Sequence, residues 1–192
     1  RLEAVWSGIE AAGVAEAIVG REPVPATDAD LLRCHSAAQL NHLEELHASG
    51  GGQVDIDTYM GARSWEGARL AAGAGLVAVE ALRQGEADVA FCAVRPPGHH
   101  ATDTTSMGFC LVNNVAVTAA SLAASGERVA VVDIDAHHGN GTQDIFYGDG
   151  RVLFVSLHQW PLYPGTGRVD ETGEGDGAGT TLNMPLPAGA AG

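Results

Sequence analysis

The chain has 192 residues, 45% of them hydrophobic, which is enough for one sizeable core and little more. Its net charge of −14, with no lysine anywhere, argues against a phosphate-binding surface and so against nucleic acid as a partner. No apolar stretch reaches bilayer length, and Arg1-Leu2-Glu3 does not open a secretory signal.

Leu2, Val5, Trp6 and Ile9 recur at helical spacing, which predicts a helix over Arg1–Ala12 stopped by Gly13. Glu22-Pro23-Val24-Pro25 reads as a linker. Thr27-x-x-Asp30 and Ser36-x-x-Gln39 are capping-box patterns that open helices running to Cys34 and to about His47. Cys34, Cys92 and Cys110 are odd in number and form no CxxC pair, so they fit free thiols in a reducing cytoplasm. Ser49-Gly50-Gly51-Gly52 reads as a loop. A long Ala-rich helix is expected from Ser64 to about Gln84, with Gly73 and Gly75 permitting close packing.

From Asp88 the pattern becomes β-α-β-α-β. Its strands are Asp88–Val94, Arg128–Ile134 and Val152–Leu157, and Thr180–Leu186 is a short final one. Helices run from Asn113 to about Ser125 and over Thr142–Tyr147. The strands are apolar runs without alternation, the pattern of a parallel sheet covered on both faces. Right-handed crossovers bring the strand ends to one edge, with His99, Asp135 and His158 on one rim. Gly165–Gly179 reads as a surface loop whose Asp170, Glu171, Glu174 and Asp176 are solvated.

Two strand ends carry the reactive side chains. Val129–Val132 leads into Asp133-Ile134-Asp135-Ala136-His137-His138-Gly139-Asn140-Gly141, and Asp88–Val94 leads into Arg95-Pro96-Pro97-Gly98-His99-His100. Ligand sites of open α/β sheets lie just past such ends. Asp135-x-His137 in extended geometry puts both side chains on one side of the chain. A carboxylate and an imidazole suit Zn²⁺, with Fe²⁺ or Mn²⁺ as alternatives. Alone, that spacing is a commonplace of sequences; beside Asp133 and His138 at a strand end it points to a site. Asp133, at the last inward position, needs a partner. It can orient a histidine of the His99-His100 pair, whose loop is stiffened by Pro96-Pro97-Gly98.

Three family likenesses follow from these residues. Asp135-Ala136-His137 resembles the Asp-Ala-His-x-Asp motif of arginase-like ureohydrolases, which hold two Mn²⁺, but Gly139 stands where the final Asp is needed. Asp-x-x-His-His is similar to the Asp-His-His signature of phosphoesterases, with one residue inserted and no basic phosphate clamp. The third is far more specific. Arg95–Ala101, Gly108-Phe109-Cys110, Asn113-Asn114, Asp133–Thr142, Ser156-Leu157-His158 and Tyr163–Gly167 occur in the order of the histone deacetylase family, which includes acetylpolyamine amidohydrolases and acetoin-utilisation proteins.

That resemblance implies an arginase/deacetylase-like three-layer α/β/α fold with a mostly parallel sheet. Residues 1–192 would be its N-terminal and central part, truncated at both ends. It implies a zinc-dependent amidohydrolase of the class II-like or bacterial branch, acting on acetyl-lysine or acetylated polyamines; the charge and the lack of a bilayer-length apolar stretch speak against nucleic-acid and membrane partners. Asp135 and His137 would be zinc ligands and His100 the general base. His99 would be the neighbouring acid–base or electrostatic histidine paired with Asp133, and Asn140 the partner of the base. Gly108, Phe109 and Tyr163 would line the substrate tunnel, where Tyr163 replaces a more usual Phe. Asp133, Asp135, His137, Ser156 and Leu157 would hold a structural K⁺, and backbone oxygens near Phe146, Asp149 and Val152 a second cation. His138 receives no role. The family's third zinc ligand, an Asp, and its oxyanion-stabilising Tyr lie further downstream, so this polypeptide alone is expected to be poorly stable and nearly inactive. The other readings are a non-catalytic acyl-lysine-binding relative and a two-Mn²⁺ ureohydrolase.

Overall fold

The computed structural model describes residues 2–190. Helix α1 (Leu2–Ala11) forms on its predicted periodicity yet buries none of its residues. Arg1, the predicted first residue of that helix, lies outside the described residues. Helix α2 (Asp28–Leu31) starts from a complete capping box: Thr27 Oγ1 accepts the Asp30 amide at 3.3 Å, and the Asp30 carboxylate accepts the Thr27 amide at 3.0 Å. Helix α3 (Ala37–Ala48) is capped by Ser36, which accepts the Gln39 amide at 3.2 Å. Gln39 does not close that second box. Its side chain turns inward to the Ser106 hydroxyl and becomes a tertiary tie.

The glycines after Ser49 are not all loop. Strand β1 (Gly51–Gln53) pairs antiparallel with β2 (Tyr59–Gly61). Glycine-rich strands carry no side-chain alternation, so nothing in the sequence marks the pairing. Helix α4 (Ser64–Arg83) packs on α5 (Asn114–Ala124), which Asn113 caps by accepting the Ala116 amide at 3.1 Å. Leu31, Leu43, Met60, Trp65, Val117 and Phe154 belong to one buried cluster that joins these helices to the sheet. No helix among the described residues is long and apolar enough to cross a membrane.

The sheet is parallel, in the order β3 (Val129–Asp133), β4 (Val152–Gln159), β5 (Thr181–Leu186), and α6 (Asn140–Phe146) connects β3 to β4. This is the α/β architecture that the resemblance implies. Val131, Val152, Phe154, Ser156 and Asn183 are buried on the face covered by α5 and α6. Val132, Leu153, Leu182 and Met184, on the opposite face, are exposed among the described residues.

The strand expected over Asp88–Val94 does not form. That segment has no ladder partner among the described residues, and Val89 and Phe91 are 82% and 76% exposed. An apolar run becomes a strand only where another backbone meets its N–H and C=O groups, and pattern cannot supply that partner. Its continuation is nevertheless fastened to the start of α6: the His99 carbonyl accepts the Gly141 and Thr142 amides at 2.9 and 3.2 Å.

Gly73 sets how closely α4 approaches the Pro23–Pro25 segment, because a Cβ there would enter the Val24 carbonyl and stand 2.9 Å from the Ala26 amide. Helix propensity alone favours Ala over Gly by about 1 kcal/mol, whereas forcing an atom into a packed contact costs about 1–3 kcal/mol. Gly73→Ala is therefore expected to lower stability in urea unfolding. A more stable variant would show that the segment does not pack there.

Candidate active site

Strand β3 delivers Asp133 to the carboxyl edge of the sheet, in register with Ser156 and, through it, with Asn183. Beyond β3 the chain turns on its own carboxylates. Asp133 Oδ1 accepts the Asp135 amide at 3.1 Å, and Asp135 Oδ1 accepts the His137 amide at 2.8 Å. Helix α6 then starts at Asn140, earlier than the expected Thr142. Its first amides fix His99, while Asn113 Nδ2 donates to the Ala101 carbonyl at 3.1 Å. The two histidines of the Pro-Pro-Gly loop are thus held from both sides.

Each histidine has one nitrogen tied. His99 Nδ1 donates to Asp133 Oδ2 at 2.8 Å, and His100 Nδ1 donates to Asn140 Oδ1 at 2.8 Å. Both Nε2 atoms are left with a lone pair. The rings stack obliquely with centroids 4.0 Å apart. Tyr163 stands edge-on to His100 and His137, at 5.0 and 6.0 Å between centroids. A Cβ on Gly108 would collide with the His100 ring, so the loop carrying Phe109 can lie against that imidazole only with glycine there. Phe109 itself adopts φ +66°, and its amide donates to Thr58 Oγ1 at 2.9 Å.

Burial, and then the neighbouring His99, hold the His100 pKa below the ordinary imidazole value, so His100 is neutral at pH 7. Burial opposes ionisation of Asp135, but the His137 amide and nearby imidazoles outweigh it and keep its pKa below the usual carboxylate range. Burial, assisted by Asp57 and Asp55, pushes the Tyr163 phenol up to about 12.

Asp135 and His137 are half exposed, and Asp135 Oδ1 lies 3.1 Å from His137 Nδ1. Two ligands of one tetrahedral Zn²⁺ stand about 3.3 Å apart, so these donors suit a shared ion in type and spacing. Among the described residues no group of three or more His, Cys, Asp or Glu side chains is placed to hold a metal. At Gly139, where a two-metal ureohydrolase needs an Asp, a Cβ would collide with the Asp133 carboxylate. Ser156 is fully buried beside Asp133, with Leu157 following it on β4. Near the suggested second cation position, the Phe146 carbonyl accepts the Asp149 amide at 3.0 Å and Arg151 engages the Asp149 carboxylate.

Two expectations are corrected below the rim. His158 does not stand on the rim with His99 and Asp135: it is fully buried, with Nδ1 on Ser156 Oγ and Nε2 on the Gly167 carbonyl, each at 3.0 Å. Glu171 is not simply solvated; it accepts Gln143 Nε2 at 2.6 Å and the Gly167 amide at 3.1 Å. His138, left without a role, is buried between Thr166 and Gln143. Burial and the nearby His158 lower its pKa to about 4. His35 is a further residue that the sequence did not single out. It links the loop after His100 to α5, contacting the Thr102 carbonyl at 2.8 Å and accepting the Asn113 amide at 2.9 Å.

Residues 1–192 match the model of the histone deacetylase domain. A "Probable deacetylase" of Archaeoglobus fulgidus is 47% identical over 91% of this chain and 48% of its own length. A "Histone deacetylase-like amidohydrolase" of Pseudomonas aeruginosa is 44% identical over 93% of this chain and 48% of its own length. The crystal structure of the HDA15 HD domain superposes with a TM-score of 0.91 at 37% identity, over 96% of this chain and 53% of that one. The chain spans about half the length of these relatives.

His138, His100 and His35 all have folded-state pKa values below the ordinary 6.5. The unfolded chain therefore binds protons that the folded protein does not. Their contribution to stability is complete above about pH 6.5 and falls as the pH drops toward 4, with His138 alone accounting for up to about 3 kcal/mol. Urea midpoints at pH 7.5, 6 and 5 should decrease in that order, and a midpoint that does not move would contradict the buried neutral state.

Proposed function

The chain belongs to the histone deacetylase family, and from that membership we propose that the protein is a zinc-dependent amidohydrolase removing acetyl groups from acetyl-lysine or acetylated polyamines. One observation carries the reading: two imidazoles, each with Nδ1 tied and Nε2 free, stand at the strand end that bears Asp135 and His137.

Asp135 and His137 would hold Zn²⁺, with a further donor from outside the described residues. Bound there, the ion supplies a Lewis acid that polarises an amide carbonyl and lowers the pKa of water. The remaining work falls to side chains of this chain. His100, neutral at pH 7, takes the proton of the attacking water on Nε2 while Asn140 holds its Nδ1–H. The proton that His100 has taken is then returned to the leaving amine, with His99 and Asp133 beside it as the acid–base or electrostatic pair. Phe109 and Tyr163 wall the passage for the substrate stem, and Gly108 lets that wall reach His100. A K⁺ held by Asp133, Asp135, His137, Ser156 and Leu157 would brace the same strand end, with a second cation at backbone oxygens of Phe146, Asp149 and Val152. The acidic composition favours cationic substrates, as lysine-rich tails and polyamines both are.

In the complete protein, His100→Ala is expected to reduce hydrolysis of an acetyl-lysine peptide by about 10²–10⁴-fold with metal content unchanged. Full activity in that variant would remove His100 from its role, and two Mn²⁺ per chain would replace the single-Zn²⁺ reading. Asn140→Asp places a carboxylate on His100 Nδ1 and is expected to raise its pKa by about 1–3 units. The acid limb of the pH profile of kcat/KM then moves to higher pH; an unmoved limb would mean that His100 is not the titrating base.

A further inference from the structure

Below the site lies a set of buried polar groups whose donors and acceptors follow from their partners. Gln143 Oε1 can only accept, and it faces His138 Nε2 at 3.0 Å and Asn183 Nδ2 at 2.7 Å. His138 therefore carries its proton on Nε2, and its Nδ1 accepts the Thr166 hydroxyl at 2.8 Å. His158 Nε2 donates to the Gly167 carbonyl at 3.0 Å, so its Nδ1 accepts the Ser156 hydroxyl. Gln143 Nε2 donates to Glu171 Oε2 at 2.6 Å, and the same oxygen accepts the Gly167 amide at 3.1 Å.

Gly167 is thus held at both its N–H and its C=O, and Thr166 at its hydroxyl. There is no slack: Gly167 has φ +92°, and a Cβ on it would lie 2.5 Å from His158 Nε2 and 2.6 Å from His138 Cγ. This turn is joined to Tyr163 through Pro164-Gly165, and the Tyr163 ring stands against His100 and His137. Gln143, on α6, is rigidly placed by the helix that also carries Asn140, the partner of His100. One carboxylate therefore joins the element that orients His100 to the turn that positions the aromatic wall.

We propose that Glu171 is a positioning residue of this site: anchored by Gln143, it fixes the Thr166-Gly167 turn and so holds Tyr163 against His100 and His137. The proposal rests on the amidohydrolase reading for its kinetic consequence, though not for its structural one. In the complete protein, Glu171→Ala and Glu171→Gln are each made alone and together with Tyr163→Ala, and kcat and KM are measured on an acetyl-lysine peptide. Glu171→Ala is expected to raise KM about tenfold with a smaller fall in kcat, and Glu171→Gln to recover part of the loss. In the Tyr163→Ala background the same change should cost less than about twofold in kcat/KM. Amide exchange at Gly167, which needs no turnover, should quicken at least about tenfold in Glu171→Ala. If the Ala variant does not fold, the Gln variant carries the same cycle at smaller amplitude. A wild-type protein without hydrolysis would count against the activity reading and leave the exchange measurement to decide the clasp. Additive losses in kcat/KM, or unchanged Gly167 exchange, would overturn the proposal.

Discussion

Asp133 ends β3 with its side chain only 11% exposed, and both of its oxygens are committed: Oδ2 to His99 and Oδ1 to the Asp135 amide. A carboxylate so far from water is tolerable only when hydrogen bonds replace its hydration. Satisfying it draws in the Pro-Pro-Gly loop from one side and bends the Asp135–His137 turn from the other. The catalytic candidates are therefore brought together by the solvation requirement of one strand-end residue. The first amides of α6, bonded to the His99 carbonyl, close the arrangement from beneath.

Around that anchor the two histidines are paired differently. His99 faces a carboxylate, whereas His100 faces an amide of the same reach, at the same 2.8 Å. Geometry is conserved while charge is not. Facing a neutral amide, His100 owes its lowered basicity first to burial. Tyr163, set edge-on to His100, adds to the burial that keeps that imidazole neutral.

The helices were largely legible because their signals are local. Thr27, Ser36 and Asn113 each cap the helix expected of them. The strands over Val129–Asp133 and Val152–Gln159 were legible as apolar runs, but Asp88–Val94 has the same composition and pairs with nothing described. Composition marks what can be a strand, and only a distant partner decides it. The residues brought together at the rim were readable because their types cluster in short motifs. Gln143, Thr166 and Glu171 were not, since their meaning lies in contacts 28 residues apart in sequence, where a polar loop residue looks solvated. His138 is the clearest case: its neighbours in sequence are metal-ligand candidates, and its neighbours in space are Thr166 and Gln143.

The buried polar layer exacts a cost that helps explain its form. Apolar residues of equal volume at His138, His158, Gln143 and Asn183 would serve stability as well or better, because each polar group must be desolvated and then re-paired. Apolar packing, however, is non-directional and would let the turn after Tyr163 settle in several positions. A directed chain from Ser156 through His158 to Gly167, and from Asn183 through Gln143 to Glu171, admits one. His138 fits that layer only while neutral, as donor on one nitrogen and acceptor on the other. Order around the site and sensitivity to acid therefore have one cause: the burial that keeps His138 and His100 uncharged.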